Sequence, residues 1–228
     1  MSMIVLHDVV KMYSTGAIAL DHVNIYIPQR DFVFLVGPSG AGKSTLLRLL
    51  TKDQEPSSGT IYVDGINITR LKRNEIPSLR RRIGVIFQDF KLLPNLSVAQ
   101  NVAFALKVTG EDDKRGREFV TQTLDTVGLA NRADHYPFQL SGGEQQRVAI
   151  ARCLVTRAPI VIADEPTGNL DRETGWETIK LLAKVNAQGA TVVVATHNQE
   201  LVNRMQRHVI ALEDGRVVHD EMVSGYHA

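Results

Sequence analysis

The sequence is poor in cysteine and in long apolar runs. Its single cysteine, Cys153, cannot form a disulfide within the chain, which excludes disulfide-stapled secreted folds and fits a reducing compartment. No apolar run approaches the ~18–20 residues that a membrane-spanning helix needs. The start, "MSMIVLHDVV", lacks the basic region and long apolar core of a signal peptide and instead predicts a strand. We expect no direct membrane span, so a membrane role would need another chain as anchor.

An excess of charge of one sign is also missing. The 26 basic residues nearly balance the 25 acidic ones, and the formal net charge is +1. Such a surface has no overall attraction for a polyanion, so no nucleic acid partner is expected.

Strand and helix patterns alternate along the chain and predict an α/β fold in a single domain, residues 1–228. The closely spaced early strands, ending with "DFVFLVG", predict an antiparallel β subdomain beside a mainly parallel core sheet. Three almost wholly apolar runs predict core strands covered by helices on both faces: "IGVIF", "PIVIAD" and "ATVVVATH". An inserted α-helical subdomain is predicted at roughly residues 97–156, and Asp-Gly pairs at 64–65 and 214–215 predict hairpin turns.

A glycine-rich loop, "GPSGAGKST", follows the apolar strand "FVFLV" and precedes a helical pattern. It matches the phosphate-binding loop G-x-x-x-x-G-K-[ST], in which backbone amides and a helix N-terminus face phosphate oxygens. Lys43 can reach the β and γ phosphates, and the Ser44 hydroxyl can ligate Mg²⁺. The loop therefore predicts nucleoside triphosphate binding through nine consecutive residues: Gly37, Pro38, Ser39, Gly40, Ala41, Gly42, Lys43, Ser44 and Thr45.

Polar residues follow three of the predicted core strands, where open α/β sheets place their ligands. Asp164 and Glu165 end "IVIADE", Gln88 follows "GVIF", and His197 follows "TVVVAT". One carboxylate can hold hydrated Mg²⁺ while its neighbour polarises the attacking water. Taken singly, each residue could equally be a solvated strand end or a structural side chain.

A second glycine-rich stretch, "LSGGEQQR" at residues 140–147, stands at a predicted helix start. With it, the order of motifs along the whole chain resembles the ATP-binding subunits of ABC transporters and related ABC ATPases, which implies a P-loop NTPase fold of the ABC type. The motifs that carry the resemblance are an aromatic A-loop at Tyr13, the phosphate loop, Gln88, the signature at 140–147, the strand ending at Asp164, Glu165, "GNLD" up to Asp171, and His197.

The resemblance implies a role for each site residue. Tyr13 would stack on adenine, although a strand-edge aromatic is the open alternative. Glu165 would be the general base and His197 the γ-phosphate sensor, while Ser44, Gln88 and Asp164 would meet Mg²⁺. The chain would be an ATP hydrolase.

The signature loop of this family closes over the nucleotide of a second subunit. The resemblance therefore implies a head-to-tail homodimer that forms on ATP binding and shares two ATP sites. Signature residues Ser141, Gly142, Gly143 and Glu144 would contact the partner's nucleotide.

Within the family, "RRIGVIFQDFKLLPNLSVAQNVAFAL" and "DEPTGNLD" resemble the bacterial cell-division ATPases of the FtsE type. This implies an FtsX-like integral membrane partner, work at the cytoplasmic face of the cell membrane, and control of cell-wall hydrolysis at division. Phe90, Leu92 and Leu93 would help to line the groove for the partner, or would pack the core. An ATPase of a lipoprotein-release or macrolide-efflux transporter is the alternative.

Overall fold

The computed structural model describes residues 2–110 and 114–222. Within them the chain alternates between strands and helices, as the sequence predicts. The strands in this part of the chain are β1 (Ser2–Met12), β2 (Ile18–Pro28), β3 (Phe32–Val36), β4 (Ser58–Val63), β5 (Ile66–Asn67), β6 (Ile83–Ile86), β7 (Ile160–Asp164), β8 (Thr191–Ala195), β9 (His208–Glu213) and β10 (Arg216–Glu221). The α-helices are α1 (Lys43–Leu50), α2 (Ile76–Arg80), α3 (Val98–Thr109), α4 (Lys114–Thr126), α5 (Gly142–Val155), α6 (Arg172–Ala187) and α7 (Gln199–Met205).

The central sheet has six strands in the order β10-β9-β3-β8-β7-β6. Strands β9, β3, β8, β7 and β6 run parallel, and β10 pairs antiparallel with β9. Every residue of β3 is buried, which explains its uninterrupted apolar sequence. The prediction that groups "DFVFLVG" with the antiparallel β piece is therefore wrong: closeness in sequence did not decide pairing, because β3 finds its neighbours β8 and β9 more than 150 residues later.

A smaller antiparallel sheet has the order β2-β1-β4-β5 and confirms the predicted β piece. The hairpin between β4 and β5 turns at Asp64 and Gly65, and the β9–β10 hairpin turns at Asp214 and Gly215. All four turn residues have positive φ, between 45° and 78°. This is the left-handed geometry that favours Asp-Gly in two-residue hairpins.

Two apolar cores cover the two faces of the central sheet. One core joins the sheet to helices α3, α4, α5 and α6, and contains Phe34, Val161 and Ile150. The other joins it to α1 and the antiparallel sheet. Residues 97–156 are largely helical where described, as predicted; their division into a subdomain stays a prediction.

The helices are short and carry charges. The longest, α6, has 16 residues and includes Arg172, Glu173 and Lys180. Across residues 2–110 and 114–222, no helix combines the length and apolarity that a membrane crossing requires.

Candidate functional site

The glycine-rich loop is shaped by close backbone contacts. A Cβ at Gly37 would lie 2.1 Å from the carbonyl oxygen of Leu212, and one at Gly42 would lie 2.4 Å from that of Ala19. Gly42 also has a φ of 105° and caps α1. Only glycine meets both demands, because any side chain would displace the neighbouring strands and strain the turn. The loop thus presents its amides at the start of α1, where helix geometry favours anions.

Lys43 and Tyr13 mark two ends of this loop. The Lys43 ammonium donates to the carbonyls of Gly37 and Pro38, at 2.7 and 2.9 Å, so its charge is held over the loop. The Tyr13 hydroxyl lies 3.1 Å from Thr45 Oγ1. That contact places the Tyr13 hydroxyl beside the loop, and stacking of the ring on adenine stays a prediction.

Glu165 and His197 face the phosphate loop across the site. They follow the adjacent parallel strands β7 and β8, and His197 Nδ1 lies 2.8 Å from Glu165 Oε1. Glu165 has a φ of 48°, while its amide still donates to the carbonyl of Ala195 at 2.9 Å. The sheet therefore holds a residue in an unfavourable conformation, a kind of strain that concentrates at functional sites. The Glu165 side chain is 17% exposed, so few water molecules compete for its carboxylate.

Asp164 connects the end of β7 to the phosphate loop. Its carboxylate accepts a hydrogen bond from Ser44 Oγ at 3.2 Å. Burial raises the pKa of Asp164, and the Ser44 hydrogen bond offsets only part of that effect. The hydroxyl and the carboxylate are hard oxygen donors held side by side, which is the donor chemistry that Mg²⁺ prefers.

Gln88 is held by the loop that follows Glu165. Its backbone carbonyl accepts a hydrogen bond from Asn169 Nδ2 at 3.0 Å. A Cβ on Gly168 would lie 3.0 Å from Gln88 Nε2, so this loop packs closely against the glutamine side chain. Gln88 is therefore in direct contact with the segment between β7 and α6.

These elements enclose one cleft of about 530 Å³. Its lining brings together residues from the phosphate loop and from the ends of three strands: Ser39, Gly40, Gly42, Lys43, Ser44, Thr45, Gln88, Glu165 and His197. Asp164 lines the adjacent cleft together with Ser44 and Gln88. Among the described residues, none from 140–147 lines the cleft. The structure therefore does not bring the signature to the phosphate loop of its own chain.

The signature forms the N-terminus of α5. Ser141 Oγ accepts from the Glu144 amide at 3.2 Å, and Glu144 Oε2 accepts from the Ser141 amide at 2.8 Å, which is a capping box. The other carboxylate oxygen of Glu144 accepts from Arg132 Nε at 3.0 Å. Its bonds from the Ser141 amide and Arg132 lower the pKa of Glu144, against the opposing effect of burial.

The segment after Gln88 agrees with the second of its two interpretations, core packing, at Leu92. The groove beside Gln88 is lined by Phe87, Asp89 and Lys91, whereas Leu92 packs against the core that contains the helices. Phe90 instead lies near Gly142 of the signature: a Cβ there would be 3.9 Å from Phe90 Cζ. Residues 90 and 91 have left-handed backbone conformations, which turn the chain at this point. An apolar sequence pattern does not reveal such a turn.

Sequence reasoning missed the residues that hold these loops. Asn101 is fully buried and donates to the carbonyls of Leu93, Leu96 and Ser97. Arg132 contacts both Glu144 and His135. Neither Asn101 nor Arg132 stands in a recognisable spacing, so only their three-dimensional neighbours identify them. Asn169 belongs to the "GNLD" motif of the sequence, but its contact with Gln88 is visible only in the structure.

Comparison with known proteins agrees with this geometry. The model of the ABC transporter family matches residues 20–168. The "Cell division ATP-binding protein FtsE" of Bacillus subtilis (strain 168) is 50% identical over 98% of both chains. The protein of the same name from Escherichia coli (strain K12) is 45% identical over 94% of this chain and 97% of that relative.

Solved structures give the same result. The "Dimeric Structure of MJ0796, a Bacterial ABC Transporter Cassette" is 40% identical, with a TM-score of 0.88 over 98% of this chain and 100% of that one. The "Dimeric structure of a post-hydrolysis state of the ATP-binding cassette MJ0796 bound to ADP and Pi" is 39% identical, with the same TM-score and coverage. The cleft, the signature helix and these matches together show that the chain belongs to the ABC transporter family of ATP-binding proteins.

Proposed function

We propose that this ABC-type, FtsE-like ATPase binds and hydrolyses ATP to drive conformational change in an FtsX-like membrane partner, and so regulates cell-wall hydrolysis at division. The observation that carries the ATPase function is the cleft that joins the phosphate loop to Gln88, Glu165 and His197. The division role rests on the similarity to FtsE proteins along almost the whole chain. Such a protein works at the cytoplasmic face of the cell membrane.

Glu165 is the general base of the proposed hydrolysis. Its carboxylate would accept the proton of the attacking water while His197, 2.8 Å away, orients it and contacts the γ-phosphate. The Lys43 ammonium would exchange its hydrogen bonds to the carbonyls of Gly37 and Pro38 for bonds to phosphate oxygens. The loop amides would bind the phosphates as well. Most of the catalysis is positioning and charge neutralisation, as phosphoryl transfer requires.

Mg²⁺ is the proposed cofactor, and the donor set fits it. Ser44 and Asp164 offer a hydroxyl and a carboxylate in contact with each other, and Gln88, which carries an amide oxygen, lines the same cleft. When bound, the ion would neutralise charge on the phosphate oxygens. Tyr13 would stack on the adenine ring at the other end of the phosphate loop.

We further propose that two copies form a head-to-tail dimer around two ATP molecules. In one chain the signature does not line the ATP cleft, yet Ser141, Gly142 and Gly143 form a helix N-terminus suited to phosphate. A second copy would bring this N-terminus to the γ-phosphate, with the Glu144 carboxylate bonded to the Ser141 amide and to Arg132. ATP would join the copies, and hydrolysis would let them part.

A groove that continues from Gln88 is the proposed site for the membrane partner. Its inner part has a volume of about 860 Å³, and its outer part, of about 660 Å³, shares Arg80 and Arg152 with it. The outer part adds Arg73 and Arg81 and the exposed apolar side chain of Phe104. A short helix with apolar and acidic residues would complement the outer part, whereas Asp53, Asp89 and Asp164 line the inner part.

Two variants test the ATPase and the dimer. Glu165→Gln should retain ATP binding but lower turnover by about 10²–10³-fold or more, since it removes the base and spares the phosphate loop. Ser141→Arg should still bind ATP but should fail to dimerise. Sedimentation with ATP measures dimerisation, and Glu165→Gln is the parent protein so that ATP is not consumed. Near-normal turnover of the first variant would overturn the assignment of the base, and normal ATP-dependent dimers of the second would overturn the shared site.

The partner is tested by purification from bacterial membranes followed by mass spectrometry. Recovery of an FtsX-like protein by the wild-type chain, and its loss with Phe104→Glu, is the expected result. Lys180→Glu, on the exposed surface of α6, is the matched control. Recovery of a lipoprotein-release or macrolide-efflux permease instead would contradict the division role while leaving the ATPase intact.

A further inference from the structure

The signature of this chain contains an acidic residue at a place where an anion has to bind. Glu144 lies in the first turn of α5, three residues after Ser141, where the helix N-terminus favours negative charge. A free carboxylate there would compete with a phosphate for the same amides and would repel it. The site proposed for the partner's ATP therefore has to neutralise Glu144.

The structure provides that neutralisation through both carboxylate oxygens. Oε2 accepts from the chain's own Ser141 amide at 2.8 Å, and Oε1 accepts from Arg132 Nε at 3.0 Å. The Glu144 side chain is 18% exposed and that of Arg132 is 42% exposed, so the carboxylate is shielded from water more than the guanidinium is. A charge-assisted bond in such a setting is stronger than the same bond on an open surface.

Arg132 is itself held in place by a separate part of the molecule. It ends a short 3₁₀ turn, and its carbonyl accepts from the His135 amide at 2.9 Å. The carbonyls of Ala133 and His135 accept from the amides of Ala99 and Val98 at the start of α3, at 2.9 and 2.8 Å. The backbone around Arg132 is thus anchored to α3, and its guanidinium reaches Glu144 on α5 from outside the capping box.

We propose that Arg132 is a positioning residue for ATP-dependent dimerisation, because it neutralises Glu144 and holds its carboxylate against its own backbone, leaving the signature able to accept the partner's γ-phosphate. This inference rests on the proposed shared site. It assigns Arg132 no contact with the nucleotide. Its effect passes through the charge of Glu144, so removal of that charge should make Arg132 dispensable.

The experiment measures the ATP concentration for half-maximal dimerisation by sedimentation, with Glu165→Gln as the parent. Arg132→Met should raise this concentration about ten-fold, equivalent to about 1.4 kcal/mol. Arg132→Lys, which keeps the charge but loses the planar donor, should have a smaller effect. Adding Glu144→Gln to Arg132→Met should restore dimerisation to within about three-fold of the parent. Lys180→Met, which removes an exposed ion pair on α6, is the charge control and should match the parent.

Each other outcome has a distinct meaning. Unchanged dimerisation of Arg132→Met would overturn the inference, and so would a double variant as weak as Arg132→Met, since a merely structural arginine is not rescued by removing the charge of its partner. Both conclusions require that Ser141→Arg abolishes dimerisation in the same assay. If Ser141→Arg dimerises normally, the shared site itself is wrong and the inference falls with it.

Discussion

His208 offers a direct test of how the central sheet is stabilised away from the ATP site. Its side chain is 1% exposed and lies between two carboxylates, with Nδ1 2.5 Å from Asp31 and Nε2 2.7 Å from Asp220. Asp31 directly precedes β3 and Asp220 lies on β10. The three residues therefore join the edge strand to the strand that carries the phosphate loop, at the end remote from that loop.

Burial by itself lowers the pKa of His208, but the hydrogen bonds to Asp31 and Asp220 outweigh it and the pKa is raised. The stabilisation is therefore fully present below the unfolded value of about 6.5 and is lost as pH rises through the folded pKa. Two charge-assisted hydrogen bonds of about 1.5–3 kcal/mol each set the upper limit. Because the Asp220 side chain is 39% exposed, we expect His208→Gln to cost about 3 kcal/mol near pH 6 and less near pH 9.

Urea unfolding of both proteins at these two pH values measures the difference. The other histidines are common to both chains, so their titration cancels in that difference. His7→Gln, on the exposed side of β1, is the control variant. A loss of stability that is equal at both pH values, or greater near pH 9, would refute the assignment of a charged His208.

Further variants test the phosphate loop, its aromatic neighbour and the core. Gly42→Ala should abolish ATP binding, measured by calorimetry, because its Cβ would clash with the Ala19 carbonyl. Tyr13→Phe should keep ATP affinity within about three-fold while Tyr13→Ala loses about ten-fold or more, since stacking needs the ring and not the hydroxyl bond to Thr45; equal losses would count against stacking. Gln146→Met should raise the melting temperature by about 2–4 °C, because both polar side-chain atoms of this buried glutamine have no partner in the described structure; a fall would show that the amide is satisfied.

Much of the site could be predicted from local patterns. The phosphate loop needs glycines where the backbone turns and approaches Leu212 and Ala19, so its function is visible in the order of its residues. Strand ends are also visible, since a buried parallel strand is an apolar run that stops at its first polar residue. Glu165 and His197 were predicted in this way, and the structure places them 2.8 Å apart.

Pairing across long separations could not be predicted in the same way. β3 was grouped with its sequence neighbours, but it lies between β8 and β9. The apolar pattern of residues 90–93 left open whether they line a groove or pack the core, and only the structure places Leu92 against the core. Contacts such as Arg132 with Glu144 depend on where two loops meet, and neither loop carries a motif for the other.

The sequence by itself determined the chemistry of the phosphate loop, the hairpin turns, the polar strand ends and the family resemblance, because each depends on residues within one turn or one strand. Only the tertiary structure decided which strands are neighbours, that the signature lies outside its own ATP cleft, and that Glu144 and His208 have charged partners. The physical reason is that turns, loops and strand patterns depend on backbone geometry and hydrogen bonds among residues that are close in sequence. Ion pairs and cleft walls, in contrast, form between segments that only the packed core brings together.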